Sequence, residues 1–460
     1  MKLRREILRL ALPSILANIT VPLVGMVDLA VAGHLQGDFT SAAFIGGISI
    51  GSMLFELLYW NFSFLRTGTG GLTAQAYGRG DVEYQAFCLK RALRIALLSG
   101  LALIAVQWLI VQGAFLVVKC SPEVRTLAKQ YFYIRIWAAP ATISLFAFKG
   151  WFIGMQDSVR AMAADLTVNI VNIVGSIALA LLLGFKGIAL GTVLAQWSGF
   201  AYCIIALRRR YSKTFSLSGV GQNFFDIFSG EKVLVREGEK VLPDGAFFRM
   251  NRDLVLRSMS MIAVYIGFTV ISARHGDLML ASASILMKLL MLFSYFSDGF
   301  AYAGEALTGR FVGEQSADGV HSAVRGSFLW GGGCALLFLG IYGLCGVPLL
   351  RLFSGDVAVV DAAREFLPWL MLMPLIGIPA FIWDGIYTGA TRTRDMMISV
   401  VLCAIGFFAT YLGGYYLLGP DDVTSIHILM AAYFVHLLIR SLWLTVRWRC
   451  SSLKIGSSPN

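Results

Sequence analysis

Charge is scarce in this chain. Only 14% of its 460 residues are Asp, Glu, Lys or Arg, against about 25% in soluble domains. Hydrophobic residues make up 57% and mean hydropathy is +0.72. A water-soluble fold could not hide that much apolar content without exposing a surface that aggregates, so the solvent has to be lipid. Paired cysteines are missing too. Cys88, Cys120, Cys203, Cys334, Cys345, Cys403 and Cys450 form no CxxC and lie mostly in apolar runs. They read as small packing residues, which excludes a disulfide framework. The five histidines (His34, His275, His321, His427 and His436) show no ligand spacing, so no metal site is expected. GTGG at Gly68–Gly71 lacks the following Lys of a phosphate loop. No Ser/His/Asp arrangement is present either, which argues against an enzyme and against a cofactor. Any work this chain does has to draw on ion gradients. The net charge of +11 suggests nucleic acid at first sight, but basic loops are expected of a membrane protein, and no nucleic-acid partner is expected.

What the sequence does have is apolar runs of spanning length, about 20 residues each. They fall at about 10–32, 44–64, 95–118, 134–153, 162–183, 188–207, 255–271, 280–303, 327–350, 366–388, 396–418 and 426–446. The basic start MKLRREILRL runs on past the length of a signal's apolar core with no small-residue cleavage site, and reads as a retained first helix. The long polar gap, 208–252, divides the chain into an N-lobe of helices 1–6 (1–207) and a C-lobe of helices 7–12 (253–450), with a tail at 451–460. The predicted fold is therefore an all-α polytopic membrane protein of twelve transmembrane helices in two pseudo-symmetric six-helix bundles. Loops on the side of the N-terminus carry 25 Lys and Arg, those on the other side 7. That bias places both termini and the linker in the cytoplasm, and the chain in a bacterial inner membrane. Six basic residues remain in the helices: Arg94, Arg135, Lys149, Arg257, Lys288 and Arg440. Near a helix end such side chains can snorkel, but Lys149 and Lys288 lie deeper.

The halves repeat at an offset of about 235. Thr73–Gly78 falls on Thr308–Gly313, Gly154–Arg160 on Gly389–Asp395, and Pro140 falls one residue from Pro374. Six helices per repeat give both halves the same orientation. Doubled bundles of this kind typify secondary transporters, with a substrate site near the midplane.

Charged groups inside lipid cost about 2.5–3.5 kcal/mol even on lenient scales, so each needs a reason. Asp28, on the first span, follows Pro22 by six residues. Pro22 cannot donate to the carbonyl of Asn18, so a helix kink there leaves a polar pocket below Asp28. Such a carboxyl could load and release a proton as access alternates. Lys149 and Asp384 correspond in the repeat, each one residue before a glycine, and either mark the interface or line the inward end of a cavity, facing each other across it. Asp298 and Glu305, seven residues apart, share one helix face. Glu56 has Trp60 one turn on. Asn169 and Asn172 can hydrogen-bond across helices.

Taken together, LPSILANITVPLVGMVDLAVAGHLQGD, SDGFAYAGEALTGRFVGE, WFIGMQDSVR and YTGATRTRDM resemble the multidrug and toxic compound extrusion (MATE) transporters. Within that family the chain looks most like the branch named for the DNA-damage-inducible protein F. The resemblance covers nearly the whole chain. It implies export of organic cations and amphiphilic toxic compounds in exchange for protons, or for sodium, by a membrane-embedded monomer. It also implies that Asp28 is the cation-coupling Asp of the first helix, and that Asn172 is the fifth-helix Asn beside it. Ser176 stands where many members have a further Asp. Asp384 matches the tenth-helix Asp of the other lobe, but the seventh-helix Glu of the sodium-coupled branch has no counterpart, and that span carries Arg257 instead. These departures favour protons. The alternative within the wider superfamily is a flippase for lipid-linked oligosaccharides. It would need basic residues clustered in the cavity, for which Lys149, Lys288 and Arg257 are the available groups.

Overall fold

A computed structural model describes residues 2–35, 39–118, 120–217, 244–353, 356–418 and 421–452. Among these residues every regular element is a helix: α1 (Lys2–Gly33), α2 (Ser41–Trp60), α3 (Ser63–Arg79), α4 (Val82–Ala105), α5 (Gln107–Val117), α6 (Pro122–Arg135), α7 (Ala139–Gly154), α8 (Ser158–Leu183), α9 (Phe185–Leu217), α10 (Asp244–Ala273), α11 (Asp277–Gly313), α12 (Ala317–Phe353), α13 (Val357–Glu365), α14 (Leu367–Gly389), α15 (Thr393–Leu418) and α16 (Asp422–Ser452). A single 3-10 turn, Ile136–Ala138, joins α6 to α7. Eleven spans are long and apolar enough to cross a bilayer, with α2–α3 and α6–α7 each counted as one. The pair Val82–Ala105 and Gln107–Leu116, bent by 64° at Val106, makes the twelfth.

Local chemistry sets the helix ends. Thr40, Asp81 and Ser121 each accept a backbone N–H of the following turn, capping α2, α4 and α6. At the other end, α3, α7, α11 and α14 all close in one way. An N–H two or three residues past the helix reaches back to a carbonyl five residues earlier: Asp81 to Ala76 (3.0 Å), Asp157 to Phe152 (2.8 Å), Ser316 to Phe311 (2.9 Å) and Arg392 to Tyr387 (3.0 Å). This closure requires a left-handed residue before the last donor. Gly80 (φ 70°), Gln156 (φ 60°), Gln315 (φ 56°) and Thr391 (φ 53°) fill those positions. Three of the four are not glycine, and the β-branched Thr391 is the most strained.

The repeat is now visible in atoms. Gly80 and Gln315 are 235 positions apart, as are Gln156 and Thr391. The helices α8 and α15 are both 26 residues long, and their first and last residues are also offset by 235. Helix contacts follow the same rule. A methyl group at Gly150 of α7 would collide with the Arg66 carbonyl of α3, and one at Gly154 with the Gly70 carbonyl. The corresponding Gly385 and Gly389 of α14 press in the same way on the carbonyls of Ala301 and Glu305 of α11. Backbones approach this closely only where a side chain is missing, as small-residue interfaces allow in lipid.

The chain divides into two compact units. One, the N-unit, is Leu16–Leu242. The other, the C-unit, is Met1–Ile15 together with Pro243–Asn460. In the N-unit α8 packs along α9, α7 on α3 and α4, and α2 on α6. In the C-unit α15 packs along α16, α14 on α11 and α12, and α10 on α15. The first half of α1 belongs to the C-unit. There Glu6 pairs with Arg310 (2.6 Å), and Ile7 and Ile15 press against Gly326 and Gly299.

Candidate functional site

In the N-unit the polar side chains gather on α1 and α8. The helix α1 runs without a break through Pro22, which is exposed, and Asn18 is half-buried. One turn and a half beyond Pro22, Asp28 is 6% exposed, and its Oδ1 has no hydrogen-bond partner among the described residues. The Ser176 hydroxyl on α8 and the Arg135 guanidinium at the end of α6 both act electrostatically on this carboxyl. Ser176 is fully buried. Arg135 donates to Ser52 (3.1 Å) and to the Tyr131 hydroxyl (3.0 Å), and its guanidinium lies 4.8 Å from the ring centre of Phe55. A cation stacked on an aromatic face is stabilised there without a carboxylate of its own.

The other polar groups of α8 reach different neighbours. Asn172, 1% exposed, donates to Thr192 of α9 at 3.0 Å, and its Oδ1 is unpartnered among the described residues. Asn169 donates to Thr20 of α1 at 2.5 Å, and the Thr20 hydroxyl donates in turn to the Ala17 carbonyl at 2.7 Å. Lys149 of α7 forms an ion pair with Asp165 of α8. Glu56 is exposed on α2.

The C-unit is built differently. Asp384 of α14 is gripped by Arg257 of α10 and by Arg440 of α16. Arg440 offers two nitrogens, its Nε reaching Asp384 Oδ1 at 3.2 Å, and it is 2% exposed. Asp298 of α11 is half-buried within electrostatic reach of Arg440. Glu305, on the same helix, is fully buried. Lys149 and Asp384, matched in the repeat, thus each hold an ion partner inside their own unit.

Several of these groups escaped sequence reasoning. Arg135 and Arg440 stand out in the sequence only as two of six basic residues in or at the ends of helices. Asp165 went unremarked, although the spacing Asp165–Asn169–Asn172–Ser176 was there to be read as one helix face.

The MatE family model matches residues 13–178 and 254–412. The chain is 33% identical to the DNA damage-inducible protein F of Escherichia coli K12, over 96% of this chain and 91% of that protein. It is 25% identical to a probable multidrug resistance protein NorM of Bradyrhizobium diazoefficiens, over 88% and 84% of the two chains. It is 23% identical to Protein DETOXIFICATION 44, chloroplastic, of Arabidopsis thaliana, over 89% and 76%. Among solved structures, a MATE in the straight conformation superposes with a TM-score of 0.82 at 16% identity, covering 97% of this chain and 96% of that one. A MOP superfamily transporter from Pyrococcus furiosus superposes with a TM-score of 0.80 at 16% identity, over 99% and 97%. At such identities the likeness speaks for the fold.

Proposed function

The chain belongs to the MatE family, and on that premise we propose that it is a proton-coupled efflux antiporter for organic cations and related toxic amphiphiles. The observation that carries the reading is Asp28: a buried carboxyl on a membrane helix, with one oxygen free of hydrogen bonds among the described residues. An ionised carboxylate in such a place is costly and a protonated one much less so. Asp384 differs, because guanidinium groups of two other helices occupy its carboxylate. Asp28 is therefore the carboxyl available for coupling.

In the cycle, Asp28 takes up a proton from the outside. The negative charge disappears, the site loses its attraction for a cation, and the substrate leaves. Facing inward, the proton departs and the carboxylate again favours a cation. Membrane potential adds about 2.3 kcal/mol per net charge moved per 100 mV. Arg135 interacts with Asp28 and keeps the ionised state tolerable between substrates. The excess of Lys and Arg in one set of loops puts both termini in the cytoplasm. Two of the three basic groups a lipid-linked oligosaccharide flippase would call on, Lys149 and Arg257, are held in ion pairs, which favours the cation reading.

The test is efflux of a fluorescent organic cation from proteoliposomes under a pH gradient without sodium. Wild type should export it. Asp28→Asn should lose about a hundredfold or more of the pH-driven rate, the scale of a missing proton-transfer group, with unchanged yield. Retained pH-driven export in the variant would refute the assignment. A requirement for added sodium would replace the proton in the proposal.

A further inference from the structure

One face of α8 is polar for much of its length. Asp165, Asn169, Asn172 and Ser176 follow at steps of four, three and four, the spacing that keeps side chains in line on a helix. The first three reach different neighbours within the N-unit: Lys149 on α7, Thr20 on α1 and Thr192 on α9; the fourth, Ser176, is fully buried and is among the groups that act electrostatically on Asp28 of α1. From Asp165 to Ser176 the track covers roughly 16 Å along the helix axis. The coupling carboxyl stands at one end. A second carboxylate stands at the other, and its partner is an ammonium group.

That pair rests on one ammonium, where the matching group of the C-unit is held by two guanidinium groups. The side chains of Lys149 and Asp165 keep 26% and 16% exposure. An ion pair exposed to lipid would be expensive, which favours water at the exposed part of this one. At the equivalent place in the other repeat, Asp384 is clamped by two guanidinium groups, one of them nearly inaccessible. Arginine presents a rigid fork suited to carboxylates, whereas lysine is a point charge on a flexible four-carbon stem. An ammonium held by a single contact can swing away and let another ammonium take its place.

We infer that Asp165 is a second cation-recognition point in the N-unit, occupied at rest by Lys149 and, during export, by the ammonium group of a protonated amine that displaces it. The inference rests on the efflux reading and adds to it a substrate class. The exchange makes and breaks no covalent bond. One monovalent cation replaces another on the same carboxylate, and when the substrate leaves, Lys149 returns. The carboxylate is never left bare inside the membrane. A substrate bearing N–H donors can reproduce the lysine contact, while a phosphonium or quaternary ammonium has no donor and gains less from it.

The experiment is equilibrium binding to the full chain in nanodiscs, with two probes. Quinacrine carries a protonated amine, and tetraphenylphosphonium carries a charge without N–H. Removing the resident competitor with Lys149→Gln should tighten quinacrine about threefold or more, and Asp165→Asn should weaken it about tenfold, the scale of one charge-assisted hydrogen bond. Tetraphenylphosphonium should shift less than about twofold in both. The double variant Lys149→Gln/Asp165→Asn buries no unpaired charge, so it reads the site even where Asp165→Asn alone misfolds, and it should bind quinacrine as weakly as Asp165→Asn. Wild-type affinities for both probes in the double variant and in Lys149→Gln would overturn the inference and leave the pair as a tie between α7 and α8. A well-folded wild type that binds neither probe would overturn the efflux reading itself, and the inference with it.

Discussion

The carboxyl groups of Asp28 and Asp384 differ in the cations beside them. Asp384 stands between Arg257 and Arg440, which come from two other helices. Its value to the fold is what would follow its loss. Asp384→Asn would strand guanidinium groups in the protein interior, and breaking a buried pair from one side costs about 3–5 kcal/mol. The expected result is a much lower thermal midpoint in detergent and reduced yield; an unchanged midpoint would mean that Asp384 is not a structural tie. The sequence placed Arg440 near the end of a span at 426–446. The helix in fact covers Asp422–Ser452, so Arg440 lies well inside it. Arg135 is a similar case. Its apolar run begins at about 134, yet the span begins at Pro122. Apolar runs mark the part of a helix that faces lipid, and helices go on past it when polar side chains find partners inside the protein.

Whole elements were far easier to read. All twelve spans were legible, because lipid imposes a length and a composition that few other environments do. What hydropathy could not show was how helices stop and where they touch. The bend at Val106 has no proline or glycine at the break. Gln156, Gln315 and Thr391 adopt the left-handed closing conformation without the glycine that usually announces it. The close contacts of α7 and α14 rest on glycines that look like any other of the 48 in the chain. They can be told apart by substitution. Gly385→Ala forces a methyl group onto the Ala301 carbonyl and should destabilise by about 1–3 kcal/mol, as overpacking does. Gly333→Ala meets nothing within 4 Å and should be neutral or slightly stabilising, since alanine is the better helix former. Thermal unfolding of the two variants side by side in detergent checks the difference. Equal midpoints would show that α11 and α14 can part at no cost.

At the scale of the molecule, the repeat kept its scaffold and lost its symmetry of charge. Caps (Ser121 of α6 and Asp356 of α13), closing turns and glycine contacts recur 235 positions apart, while Lys149 in one copy is Asp384 in the other. Duplication supplied two equivalent frames, and the chemistry diverged within them. That is why the repeat could be seen in turn motifs, whereas the roles of the two units could not. One consequence concerns the order in which the chain is made. The residues Ile7, Leu10, Ala11 and Ile15 are buried, and they belong to a unit whose other helices are synthesised last. Glu6 meets Arg310 across a sequence separation of 304 residues. The C-unit is therefore a closure of very long range, and contacts of that kind form late. The N-terminal segment has to wait, inserted but unseated, while more than half the chain leaves the ribosome. Deleting residues 2–9 should accordingly leave synthesis and membrane insertion intact, yet make the C-unit sensitive to added protease while the N-unit stays resistant. If both units resist equally, the first turns of the chain are dispensable to the last helices made.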